Sequence, residues 1–358
     1  MSMATMRRIR AALVATLAVA TLTACAQPGL PGQAAARGAG QAAARGHMPG
    51  QISLIVQPEA GSAPIVEAID GASKSVWLQI YILTDPAVIE ALCRASERGL
   101  DVRVLLEEHP FTPGNPNSSL STNAGVAETL AARGVHVAWT NPNFNFTHAK
   151  SMIVDGDTAY VLTYNLTKAG AGGNREFGVI NRSPSDVAEL KRLFLADSGH
   201  EIYRSSDPDV VVSPDNARFR ILGLMERAKS ELVVGVEVIS DPEALALLVG
   251  KARAGVSVRV LVGGVKKIPA NLPPIRHLMA SGVPVKHQGK PFLHAKYAIA
   301  DGREAYVGSI NLTTNSLDAN RELGLIVRDA AAVSQLQAVF GLDWESAETL
   351  AIGAEARR

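Results

Sequence analysis

Histidine, lysine, aspartate, asparagine and glutamate recur twice along this chain in one unbroken register. The first set is His148, Lys150, Asp155, Asn165 and Glu176; the second is His294, Lys296, Asp301, Asn311 and Glu322, each 146 residues after its counterpart. The motifs read His148-Ala-Lys150-Ser-Met-Ile-Val-Asp155 and His294-Ala-Lys296-Tyr-Ala-Ile-Ala-Asp301. A single such match carries little weight. Two matches with aligned downstream residues exclude coincidence. At neutral pH an imidazole serves as nucleophile or as proton donor. Cleaving a phosphate diester needs a nucleophile on one side of phosphorus, a proton for the departing oxygen on the other, and donors for the oxygens that gain charge. One set supplies half of these groups, and two facing sets supply them all.

In an extended strand, residues two apart share a face. His148 and Lys150 therefore project together, as do His294 and Lys296, while Asp155 and Asp301 project oppositely and are expected to bond backbone or turn groups. Lys150, Lys296, Asn165 and Asn311 are expected to clamp the non-bridging phosphate oxygens. Glu176 and Glu322 are each expected to hold an imidazole N–H and fix its tautomer. Histidines and glutamates also suit a metal, but an ammonium on the same face repels a divalent cation. Metal-free chemistry with no cofactor is expected.

Positioning these groups requires elements that repeat as the motifs do. The segment from Lys74 to Asp85 aligns with that from Lys229 to Asp241 with one insertion, and the run from Asp101 aligns with the run from Ser257. Each half reads as a helix (62–72, 216–228), a strand, a helix (86–98, 242–254), a second strand (101–106, 257–262), and a variable loop. The strand carrying His-x-Lys follows, then an Asp-Gly turn into another strand, a loop to the Glu, a further strand and a closing helix. Strands alternating with helices predict an α/β fold: two similar units, each a mixed sheet flanked by helices, related by a pseudo-two-fold axis. The units are expected at 51–205 and 206–350. Cys93 falls on an apolar helical position and reads as a small buried hydrophobe.

Composition agrees with a folded core, with 47% hydrophobic and 19% charged residues. The N-terminus differs. Arg7, Arg8 and Arg10 precede an apolar run over 11–22 that is short for a membrane span and reads as a signal-peptide core. It ends Leu22-Thr23-Ala24-Cys25, which resembles a bacterial lipobox, implying cleavage after residue 24 and lipidation of Cys25. Residues 25–50 then read as a flexible tether, and the expected location is the extracytoplasmic face of a bacterial cell envelope. The chain carries a formal charge of +1, and removing residues 1–24 takes away three arginines and no acid, leaving −2. Strong, non-specific attraction to a nucleic-acid backbone is therefore not a property of the whole surface.

The duplicated residues, with Gly308-Ser309-Ile-Asn311 in the second half, resemble the two copies of the phospholipase D superfamily motif over about 300 residues. The resemblance implies that both halves form one site and that reaction passes through a phosphohistidine without a metal. By position, His148 resembles the nucleophile and His294 the general acid. Where the second half has Gly308-Ser309, the first has Leu162-Thr163, with Thr163 expected to replace the serine hydroxyl and Leu162 to narrow the approach to phosphate. The leading expectation is a membrane-anchored, monomeric phospholipase D-type phosphodiesterase acting on phospholipids by hydrolysis or transphosphatidylation. An endonuclease acting on DNA or RNA is the alternative, supported by the run 141–146 and by Lys266, Lys267, Lys286 and Lys290. Against it stand the near-neutral charge and an aromatic content of 5%. An inactive envelope binding module is the third reading, opposed by retention of every paired residue. Loops 107–124 and 264–276 differ between the halves and are expected to select the substrate.

Overall fold

Runs of valine, isoleucine and leucine bounded by Asp, Gly and Pro become the strands, as their shape and propensity dictate. The structure, a computed structural model, describes residues 47–110 and 123–350. The expectations placed on 1–24, on Cys25, on the tether up to residue 46 and on the middle of loop 107–124 lie outside the described residues.

The first half runs β1 (Ile52–Gln57), α1 (Ala63–Asp70), β2 (Ser75–Ile80), α2 (Pro86–Glu97), β3 (Asp101–Leu106), α3 (Ala124–Ala132) and β4 (His136–Trp139). It continues with β5 (Ser151–Val154), β6 (Thr158–Leu162), α4 (Lys168–Gly172), β7 (Asn174–Asn181) and α5 (Pro184–Ser198). The second half runs β8 (Val210–Ser213), α6 (Ala217–Arg227), β9 (Glu231–Val236), α7 (Pro242–Arg253), β10 (Ser257–Gly263), α8 (Leu272–Ala280) and β11 (Val285–Gln288). It closes with β12 (Phe292–Leu293), β13 (Lys296–Ala300), β14 (Glu304–Gly308), α9 (Thr314–Asp318), β15 (Glu322–Val327) and α10 (Ala330–Ser346).

The sheets are mixed and share one strand order. The first reads β1-β7-β6-β5-β2-β3-β4 and the second, in reverse, β8-β15-β14-β13-β9-β10-β11. Along each of these paths the two outermost pairings at the β4 and β11 ends are parallel and the others antiparallel, and β12 joins the first sheet off its path by pairing in parallel with β7. Side chains alternate between two cores, as the period of a strand requires. From β5 and β6, Ile153, Ala159 and Val161 join a central cluster, whereas Met152, Val154, Tyr160 and Leu162 pack beneath α1, α2 and α3. The central cluster takes residues from both sheets and from α5 and α10, including Phe177, Phe194, Tyr297 and Phe340. It welds the halves together. Cys93 is buried in the outer cluster of the first half, where burial pushes its thiol pKa up.

Leu162 corrects one expectation. Its side chain is fully buried in the outer core among the residues that include Ile55, so its extra volume fills packing space and does not narrow an approach to phosphate. In the second half Gly308 is required for a different reason, since an added Cβ would lie 2.4 Å from the Gly324 backbone.

Both Asp-Gly turns are tight hairpins. Asp155 and Asp301 adopt positive φ of 54° and 53°, followed by Gly156 and Gly302, also at positive φ. The Asp155 carboxylate accepts from the backbone N–H of Ser73, Lys74 and Ser75 and from the Ser73 hydroxyl at 2.7–3.0 Å. Asp301 does the same with Lys229, Ser230 and Glu231. These bonds override burial and hold the Asp155 carboxyl down to about 2, and they depress Asp301 further. Each aspartate clamps its hairpin to the start of β2 or β9.

Candidate active site

From spacing alone, His148 and Lys150 belong on a strand. The structure starts β5 at Ser151 instead, because the preceding residues pair across the molecule. The N–H groups of His148 and Ala149 both donate to the Arg321 carbonyl, at 2.7 and 3.0 Å. In mirror fashion β12 pairs with β7, and the N–H groups of His294 and Ala295 reach the Arg175 carbonyl at 3.2 and 3.1 Å. Each histidine segment is thus hydrogen-bonded to the glutamate segment of the other half.

The side chains follow that exchange. His148 Nδ1 lies 2.9 Å from Glu322 Oε2, and His294 Nδ1 lies 2.5 Å from Glu176 Oε1. Both glutamates are fully buried. Glu176 is held by the Thr163 hydroxyl, which donates to Oε2 at 2.6 Å and accepts from Phe177 N–H at 2.9 Å. Glu322 is held by Asn320 Nδ2 at 3.0 Å. Thr163 therefore supports the acid, while its counterpart Ser309 accepts from Leu323 N–H at 3.1 Å.

His148 is enclosed by aromatic edges, with the ring of Tyr81 at 4.8 Å and that of Phe146 at 6.0 Å between centroids. Burial, then the Lys150 ammonium, push its pKa down to about 4 against the pull of Glu322. The ring is neutral at pH 7. With Nδ1–H donating to Glu322, its Nε2 presents a lone pair, which is the form a nucleophile needs.

Lys150 and Lys296 are fully buried. Lys150 Nζ donates to the His148 carbonyl at 2.6 Å, and burial, then Lys296, hold its pKa well below the ordinary lysine value. Lys296 Nζ donates to the His294 carbonyl and lies 2.9 Å from Glu237 Oε2. The charges of Lys296 and Glu237 act on the His148 and Lys150 pair, so both motifs belong to one electrostatic cluster. Asn311 Oδ1 accepts from Val238 N–H at 3.0 Å, and Asn165 Oδ1 is buried without a protein partner among the described residues. The structure thus brings His148, Lys150, Glu176, His294, Lys296 and Glu322 together and keeps Asp155 and Asp301 apart at the hairpins.

Spacing missed three features. Arg175 pairs with Asp343 at 2.8 Å and Arg321 with Asp197 at 3.0 Å, each buried and each crossing between halves. Their signal was present, since both the arginines and the aspartates also stand 146 residues apart. Glu237 had no such signal, because the equivalent position in the first half is Tyr81. Aromatic packing of Phe144 against Arg321, at 4.2 Å, and of Phe146 against His148 also gives the run 141–146 a structural role beyond a solvated loop.

Two mixed sheets with helices on them are joined so that each histidine meets the other half's acid, a duplicated α/β arrangement with both motifs at the junction. The sequence profile of a family described as "Cardiolipin synthase, PLD-like domain" matches residues 65–198 and again 221–344. The chain belongs to this phospholipase D-like family, whose enzymes act on phosphodiester bonds. It is 26% identical over 325 residues to cardiolipin synthase B of Salmonella typhi, covering 78% of this chain and 76% of that one. It is 25% identical over 309 residues to polyphosphate kinase 1 of Chlorobaculum tepidum, covering 79% of this chain and 43% of that one. The fold superposes on phosphatidylserine synthase of Haemophilus influenzae with a TM-score of 0.67 at 13% identity, covering 84% of this chain and 87% of that one.

Proposed function

We propose that the protein is a metal-independent phospholipid phosphodiesterase that works through a phosphohistidine. His148 Nε2 attacks phosphorus, the bond to the leaving alcohol breaks, and the departing oxygen takes a proton from His294 Nε2. Water, or a second alcohol, then returns a proton to His294 as it attacks phosphorus, and the phosphorus–nitrogen bond breaks. The observation that carries this reading is the exchange of acids, His148 on Glu322 and His294 on Glu176, which orients two imidazoles from opposite halves in one buried cluster. Lys150 and Lys296 supply positive charge for the non-bridging oxygens, so the scheme requires no divalent ion. Lipidation at Cys25, with tethering at the extracytoplasmic face of an envelope membrane, would keep the enzyme beside its substrate. Among the described residues no helix is long and apolar enough to cross a membrane.

The test offers phosphatidylglycerol, phosphatidylcholine and single-stranded DNA to the purified protein and follows which is consumed. Turnover of lipid, with a base-stable adduct on the peptide bearing His148, supports the proposal. Consumption of DNA alone replaces it with a nuclease, and an adduct on His294 reverses the two roles.

A further inference from the structure

The two halves differ at one point inside the site. Ser75 and Glu231 are equivalent, each giving its backbone N–H to the hairpin aspartate of its half. Counting on along β2 and β9 makes Tyr81 the counterpart of Glu237. Tyr81 lies against His148 and has the Lys150 ammonium 5.3 Å from its ring centre. Glu237 instead places Oε2 2.9 Å from Lys296 Nζ and 3.4 Å from His294 Nε2. That nitrogen is the one left free by Glu176. Glu176 and Glu322 are sealed from solvent, whereas the Glu237 side chain keeps 16% exposure. Burial works to raise the Glu237 carboxyl, and His294 and Lys296 override it and hold it down to about 2, so the group is a carboxylate at every working pH.

Charge in the pocket then decides what fits. The ammonium groups of Lys150 and Lys296 stand against the carboxylates of Glu176, Glu322 and Glu237. Three acids outnumber two lysines, so a monoanionic diester adds negative charge in surroundings where uncompensated charge is costly. An alcohol bearing a second anion deepens the imbalance. An alcohol bearing an ammonium offsets it.

We infer that Glu237 reads the leaving alcohol and fits this pocket to zwitterionic phosphodiesters, whose alcohol carries an ammonium on a short spacer. The inference rests on the phosphodiesterase reading above. The phosphate lies against Lys150, Lys296 and Nε2 of His148, the leaving oxygen faces Nε2 of His294, and the ammonium beyond it meets the partly exposed Glu237 carboxylate. Glu237 acts as a specificity residue on the leaving-group side only, which is why its counterpart on the nucleophile side is an uncharged ring.

The experiment measures kcat/KM of the full chain on vesicles of phosphatidylethanolamine, phosphatidylcholine and phosphatidylglycerol, with bis(p-nitrophenyl) phosphate as a diester lacking a headgroup. Wild-type protein is expected to prefer the zwitterionic lipids over phosphatidylglycerol by about tenfold or more. E237Q and E237Y are expected to bring that ratio toward one, mainly by losing rate on the zwitterionic lipids. Preference of the wild type for phosphatidylglycerol overturns the inference even if neither variant folds. A ratio unchanged in a folded E237Q, with all substrates slowed alike, also overturns it and reduces Glu237 to a support for Lys296. Absence of turnover on every lipid and on the plain diester fails the phosphodiesterase reading itself.

Discussion

The imidazole of His148 bonds at 2.9 Å to the carboxylate of Glu322, a residue 174 positions further along the chain and in the other sheet. Neither half can orient its own histidine. With Nδ1–H committed to Glu322, Nε2 is the basic nitrogen, and the ring cannot rotate without breaking a buried charge-assisted bond. Glu322→Gln keeps the volume and removes the charge. It is expected to lower kcat about a hundredfold or more while leaving the fold in place. Steady-state rates, with circular dichroism to confirm folding, check this; near wild-type turnover would show that the acid is dispensable.

Acidity should reach His148 late. Because its pKa lies near 4 and not at the ordinary 6.5, the nucleophile stays unprotonated down to about pH 4, and the acid limb of kcat/KM should fall there. The same shift affects stability with a defined sign. The unfolded chain takes up this proton first, so the stabilisation is full above pH 6.5 and is lost as pH falls toward 4. Thermal melts over that window should show the Tm dropping, and an acid limb centred near 6.5 would contradict the burial of the ring.

The hairpin clamps should behave as structure and not as chemistry. Asp155→Ala removes acceptors from three backbone N–H groups and places a side chain without polar atoms at positive φ. The expected loss is about 2 kcal/mol of stability, with folded molecules retaining most of their kcat. Denaturant unfolding beside active-site titration separates the two effects.

The buried arginine pairs hold the halves in register. Arg321→Ala leaves the buried Asp197 without its cation and with Gln79 Nε2 as a remaining donor, and Arg175→Ala takes the guanidinium away from Asp343 in α10. Each is expected to cost about 3 kcal/mol or more. Calorimetry on the two variants tests this, and a loss below about 1 kcal/mol would mean the pairs add little to the junction.

The order of elements was legible because duplication writes every strand twice, and Asp-Gly turns with alternating apolar residues mark the edges of β5, β6, β13 and β14. The reacting groups were legible for the same reason. Which acid serves which histidine was not, since spacing within a half says nothing about the partner across a junction. Leu162 looked like an intrusion on phosphate because a motif records sequence position, whereas strand alternation sends that side chain to the helical face. Arg175, Arg321, Asp197 and Asp343 obeyed the repeat yet carried no chemical cue. Glu237 broke the repeat, so only the folded chain revealed an acid beside His294.

The central claim is that both motifs build one site, and the kinetics of His148→Ala, His294→Ala and the double variant test it most directly. One shared site predicts that each single substitution lowers kcat by about a thousandfold or more and that the double variant is no worse than either single, as for groups acting as a unit. Two sites working separately would leave each single variant near half of wild-type turnover, and that result would contradict the account.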